Sequence, residues 1–139
     1  MRAIITCVDF ADILAITLPW NRHHFREVLV VTSPADTSTL IVAEANSAKI
    51  YCTNAFYEDG AIFNKWKALE QGLDYFGRYG QLVLMDVDIL WPKQIPLVGY
   101  LHGYLYTPQR RILRDPGRWH TDLHWGTCPL FKDYEWAGY

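Results

Sequence analysis

The sequence predicts an α/β fold, a doubly wound and mostly parallel sheet, on three observations. Short apolar, β-branched runs alternate with helical patterns in the order strand, helix, strand, helix, strand, helix, strand, the pattern of a parallel sheet with right-handed crossovers. Val28-Leu29-Val30-Val31 and Leu82-Val83-Leu84-Met85 are apolar at every position, which suits strands covered by helices on both faces. Finally, the residues that follow the runs are acidic or hydroxylic rather than glycine-rich: Asp9, Ser33 and Asp36, Thr53 and Asn54, Asp86 and Asp88. Ligands on such sheets bind beyond the carboxyl ends of the strands.

Ala3 to Val8 forms the first strand, and Asp9 is placed to cap a helix over Ala11 to Leu18, which Pro19 is expected to interrupt. The polar cluster Asn21-Arg22-His23-His24 leads into a second strand, Glu27 to Thr32. Adjacent histidines on a loop are expected to diverge as a solvated pair, since a metal would need further ligands at suitable spacing. Ser33-Pro34-Ala35-Asp36 closes the strand. Asp36, Thr37 and Ser38 then start a helix that stops near Asn46-Ser47. Lys49 to Thr53 is the third strand, and Asn54 to Gly60 a polar, turn-rich connection. In the longer helix that follows, Ile62, Trp66, Leu69, Leu73 and Phe76 recur at three and four as a stripe for the sheet, with Gly77 as its stop. Asn64 falls opposite that stripe and Lys65 on its flank. A lysine in a first turn opposes the helix dipole unless an anion sits nearby; an ordinary surface lysine is the alternative.

The fourth strand, Leu82 to Met85, is expected at the centre of the sheet, and it ends in Asp86-Val87-Asp88. Side chains two apart on an extended segment project together, so the two carboxylates would repel unless a cation sits between them. Oxygen ligands suit magnesium or manganese, which accept one or two protein carboxylates and complete their shell with water and phosphate. In the alternative, one Asp caps the loop and the other faces water. Without a cation, neutralising either Asp is expected to raise stability by removing the repulsion.

Beyond Pro92, Leu97 to Tyr106 reads as a return strand broken at Thr107-Pro108. Gln109-Arg110-Arg111 is a basic spot that suits phosphate or plain solvent. The tail holds Trp119, His120, His124, Trp125 and Trp136 without periodicity, and His120 and His124 lack the Glu of a His-Glu-x-x-His helix. The 139 residues fit one domain, 1–139, with an α/β half at 1–96 and a return strand and tail at 97–139. A net charge of −2 with scattered Lys and Arg gives no electrostatic case for nucleic acid or an anionic membrane. Cys7, Cys52 and Cys128 are far apart and read as reduced core residues. Asp9 and Asp12 break the amino-terminal apolar stretch, and no apolar run nears the roughly 20 residues of a membrane span, so the expected compartment is the cytoplasm. There is no Gly-x-Gly-x-x-Gly and no P-loop motif.

Over roughly the first 110 residues the chain resembles the donor half of GT-A-fold glycosyltransferases, nucleotide-diphospho-sugar transferases near the family 2-like group. The resemblance rests on the order of elements, on Val30-Val31-Thr32-Ser33-Pro34-Ala35-Asp36, on Asp59-Gly60-Ala61-Ile62-Phe63-Asn64-Lys65 and above all on the Asp-x-Asp of Met85-Asp86-Val87-Asp88. It implies a GT-A fold in compact or truncated form and a metal-dependent transfer of sugar from a nucleotide-diphosphate sugar to an unknown acceptor. By that resemblance Ser33 and Asp36 meet base and ribose, and Asn64 and Lys65 line the donor pocket. Asp88 holds Mn2+ or Mg2+ on the diphosphate, and Asp86 contacts ribose or metal. The chain ends at Glu135-Trp136-Ala137-Gly138-Tyr139 without a stretch matching the family's acceptor site and catalytic base. A non-catalytic nucleotide or nucleotide-sugar binding fragment is therefore the alternative.

Overall fold

A computed structural model describes residues 1–91 and the backbone of 106–107 and 137–138. The chain forms two compact units, Met1–Trp91 and Pro92–Tyr139. The first contains β1 (Arg2–Thr6), α1 (Ala11–Arg22), β2 (Glu27–Thr32), α2 (Thr37–Ala45), β3 (Lys49–Cys52), a 3-10 turn (Glu58–Gly60), α3 (Lys65–Phe76) and β4 (Leu82–Asp86). In the second, β5 (Tyr106–Thr107) pairs antiparallel with β6 (Ala137–Gly138). The rest of the expected return strand, Arg110, Arg111, His120, His124 and Cys128 lie outside the described residues.

β3, β2, β1 and β4 lie in that order in one sheet, and every pairing is parallel. Alternation along the strands separates two cores. Ala3, Ile5, Val28, Val30 and Met85 face Leu14 and Leu18 of α1 and Ala43 of α2. Ile4, Leu29 and Val31 face Ala68, Leu69, Leu73 and Phe76 of α3. Helices therefore cover both faces, the arrangement of a doubly wound α/β fold. β1 and β2 form its buried centre. β4 does not: among the described residues β1 is its one neighbour, and Leu84 is 43% exposed. An apolar run marks a strand that packs on something, and it leaves open whether that strand is central or lateral.

Other expectations fail at particular residues. α1 runs through Pro19 to Arg22 rather than stopping at it. Its last turn is held from outside, where Trp20 Nε1 donates to the Trp91 carbonyl (2.6 Å) and Asn21 Nδ2 to that of Ile89 (2.6 Å). Asp9 does not cap this helix; Phe10 takes the cap position, and Asp9 stands in the left-handed region at φ 62°. α3 begins at Lys65, so Ile62 precedes it and is 95% exposed, while Trp66 on its outer side is 70% exposed. The buried stripe is Ala68, Leu69, Gly72, Leu73 and Phe76. Within the connection read as polar, Ala55 and Phe56 are fully buried. Cys7 is buried as expected, but Cys52 is exposed on the edge strand.

Two contacts fix α3 against the sheet. A Cβ on Gly72 would stand 2.6 Å from Val31 Cγ2, so this helix approaches β2 more closely than an alanine permits. At its end the buried Arg2 guanidinium donates to the carbonyls of Phe76 (2.7 Å), Gly77 (2.9 Å) and Tyr79, and it lies over the Phe76 and Tyr79 rings. A cation at a helix carboxyl terminus also meets the negative end of its dipole. Gly77 ends α3 as expected, with φ 85°. Among the described residues no helix is long and apolar enough to cross a membrane.

Candidate functional site

The sheet grows outward from β1 through β2 to β3, and the chain then returns to place β4 on the other side of β1. Open α/β sheets take ligands beyond the carboxyl ends of the strands at such a reversal, which here lies between β1 and β4. Thr6 of β1 is in register with Asp86 of β4, so Asp86 stands at that end of the sheet.

Asp86 is met there by Lys65. Asn64 caps α3, its Oδ1 accepting from the Lys67 amide at 3.0 Å, and its own amide donates to the Phe56 carbonyl at 2.6 Å. Asn64 is thus the start signal of the helix rather than a residue on the face opposite its stripe. The cap fixes Lys65 as the first helical residue, and its Nζ is ion-paired with Asp86 Oδ1. The anion needed to offset a lysine at a helix amino terminus is therefore Asp86. The side chains of Lys65 and Asp86 are 38% and 36% exposed.

Asp88 has a different setting. β4 ends at Asp86, and Val87 and Asp88 form a turn closed by the Ile89 amide on the Asp86 carbonyl at 3.3 Å. The alternation rule of an extended strand therefore stops two residues short of Asp88, which is exposed on the turn. The expected repulsion between the two carboxylates is also offset at Asp86, because an ammonium is bound to it.

The turn is clamped from α1 by residues with no assigned role in the sequence reading. Thr17 Oγ1 donates to the Val87 carbonyl (2.7 Å), Asn21 Nδ2 to that of Ile89 (2.6 Å), and Asn21 Oδ1 accepts from the Trp91 amide (2.8 Å). Thr17 and Asn21 are buried with Leu14 and Leu18 on one side of α1. The signal was present: positions 14, 17, 18 and 21 form one helical stripe, and two of its four members are polar. Buried polar side chains require partners, and these find theirs in the backbone after β4.

Ser33 and Asp36, expected to meet base and ribose, are buried in the turn between β2 and α2. Asp36 caps α2, Oδ1 accepting from the Thr39 amide (3.1 Å), while Oδ2 accepts from the Asp9 amide (2.8 Å) and from Thr32 Oγ1 (3.4 Å). Burial pushes its pKa up, but the hydrogen bonds from Thr39, Asp9 and Thr32 outweigh it and hold the carboxyl below its usual range. Asp36 thereby ties the loop after β1 to the loop after β2. Ser33 is similarly engaged, its Oγ accepting from the Ala35 amide at 3.4 Å. Thr53 is buried, and its Oγ1 contacts Gln71 Oε1 at 2.5 Å and the Ala55 amide at 3.0 Å. Asp36, Ser33 and Thr53 are thus engaged in hydrogen bonds at the carboxyl ends of β2 and β3.

His23 and His24 lie side by side rather than diverging, with ring centroids 4.0 Å apart and planes tilted by 41°. Among the described residues His24 Nε2 is buried without a hydrogen-bond partner, and burial, with His23 beside it, lowers the pKa of His24 to about 4.

Among the described residues no group of three or more His, Cys, Asp or Glu side chains is arranged around a metal position. Asp86 at the end of β4 and Asp88 on the turn that follows remain as two oxygen donors of the kind a hard cation accepts while it keeps most of its shell for water and phosphate. Comparison with protein-family models, curated proteins and solved structures returns no match.

Proposed function

We propose that this chain binds a nucleotide-diphosphate sugar beyond β1 and β4 and acts as a metal-dependent glycosyltransferase of GT-A type. One observation carries the reading: a lysine at the start of α3 and the Asp-x-Asp turn after β4 meet at the point where the strand order reverses. Asp86 and Asp88 would hold Mn2+ or Mg2+. Bound there, the cation supplies Lewis-acid stabilisation of the diphosphate leaving group. Lys65 contributes a positive charge at a helix amino terminus, where phosphate is favoured. Thr17 and Asn21 hold the carboxylate-bearing turn still, so that little ordering remains to be done on binding. Asp36 keeps the loops after β1 and β2 together.

The test is incubation of the full chain with a panel of nucleotide sugars and manganese, with release of nucleoside diphosphate measured against calorimetric binding. Metal-dependent binding and release that are lost in Asp88→Asn are the expected result. Binding without release in the presence of candidate sugar acceptors would make the chain a donor-binding module. No binding to any member of the panel would remove the reading.

A further inference from the structure

Lys65 and Asp86 come from different elements, an α3 amino terminus and a β4 carboxyl terminus, yet they meet as an ion pair. Resting on the function proposed above, we infer that Lys65 is an internal counter-cation for Asp86. It holds that carboxylate until a diphosphate draws it away, so that the site selects a cation together with a diphosphate over the free cation.

Three features support this. A divalent cation that approaches Asp86 alone meets the ammonium already bound there and must displace it against like-charge repulsion. The lysine has an alternative partner only when an anion enters: its place in the first turn adds to the positive end of the helix, which favours phosphate over solvent. The exchange is also accessible. Lys65 and Asp86 are each more than a third exposed, so opening their pair strands neither charge in the core. Arg2, buried under two rings and bound to three carbonyls, has no comparable freedom. By linkage, whatever factor the diphosphate contributes to cation affinity the cation returns to diphosphate affinity. Lys65 enlarges that factor by weakening the binding of cation alone.

The test measures Mn2+ binding to the full chain by electron paramagnetic resonance, first without nucleotide and then with uridine, guanosine, adenosine and cytidine diphosphates. Lys65→Met should bind Mn2+ alone about tenfold or more tightly than wild type, because a repelling charge beside the ligand is gone. Its gain in Mn2+ affinity on adding the diphosphate should shrink accordingly. Lys65→Arg, which keeps the charge, should behave as wild type. Lys67→Met removes a nearby positive charge that is paired with Glu58 and Asp59 instead, and it should also leave Mn2+ affinity unchanged. A circular-dichroism melt checks folding, and Lys65→Gln repeats the measurement with a shorter neutral side chain. If wild type binds Mn2+ with a diphosphate but neither neutral variant binds Mn2+ alone more tightly, the counter-cation role is overturned and the metal site stands. If no protein binds Mn2+ under any condition, the proposed function fails and this inference with it.

Discussion

Asp86→Asn separates the structural from the ligand-binding role of the Asp-x-Asp turn, because the two roles give effects of different size. In the metal-free protein the substitution removes an ion pair whose members are 38% and 36% exposed, and it leaves an amide oxygen that still accepts from Lys65. Pairs of this exposure fall at the upper end of the surface range, so the cost is about 0.5–1 kcal/mol. That corresponds to a fall in Tm of about 2–6 °C for a unit of this size. The sign is opposite to the one expected from two repelling carboxylates, because Lys65 has already neutralised Asp86. With manganese and a nucleoside diphosphate at roughly 100 times their Kd, the wild type should gain about 2.7 kcal/mol, several times the ion-pair contribution. The assay is a thermal melt of wild type and Asp86→Asn, each with chelator and then with manganese plus nucleoside diphosphate. A metal-free Asp86→Asn protein more stable than wild type would refute the stabilising pair. A ligand-induced shift of equal size in both proteins would place the metal elsewhere.

Arg2→Met removes the donor to three carbonyls and should cost about 2–4 kcal/mol in urea unfolding; Arg2→Lys should recover less than half, since an ammonium cannot reproduce the planar fork. His24 makes stability depend on pH in the mildly acidic range. Its folded pKa of about 4 lies below its unfolded value near 6.5, so the unfolded chain binds the extra proton. Stability should be full above about pH 6.5 and fall towards pH 4, by about 1–2 kcal/mol once solvent screening of the partly exposed ring is allowed for. Urea unfolding between pH 4 and 7 checks this, and His24→Gln should flatten the slope; an unchanged slope would refute the assignment to His24.

The strand and helix order was legible because apolar runs and capping residues are local signals. Asp36 starts α2 and Gly77 ends α3 through backbone geometry that a few neighbouring residues determine. What was not legible depends on distant partners. Pro19 breaks an isolated helix, but Trp20 and Asn21 are bonded to residues about seventy positions later. Among the described residues β4 lies at one side of the sheet, a placement that follows from the crossover through α3 and that an apolar run does not encode. For Asp36 the local signal, a helix start, is the one the structure shows, and what the sequence did not show is that its oxygens accept from Asp9 and Thr32 as well as Thr39. At the Asp-x-Asp motif the composition was readable while the geometry was not, since the strand ends at Asp86 and a turn beginning at Val87 separates it from Asp88.

The close approach at Gly72 makes α3 a beam clamped at both ends. Arg2 holds it at Phe76, the Asn64 amide holds its start to the Phe56 carbonyl, and Gly72 lies against Val31 between them. A methyl group at position 72 would therefore load the middle of a span whose ends are fixed, and the helix would yield only by bending or by loosening one of its two clamps.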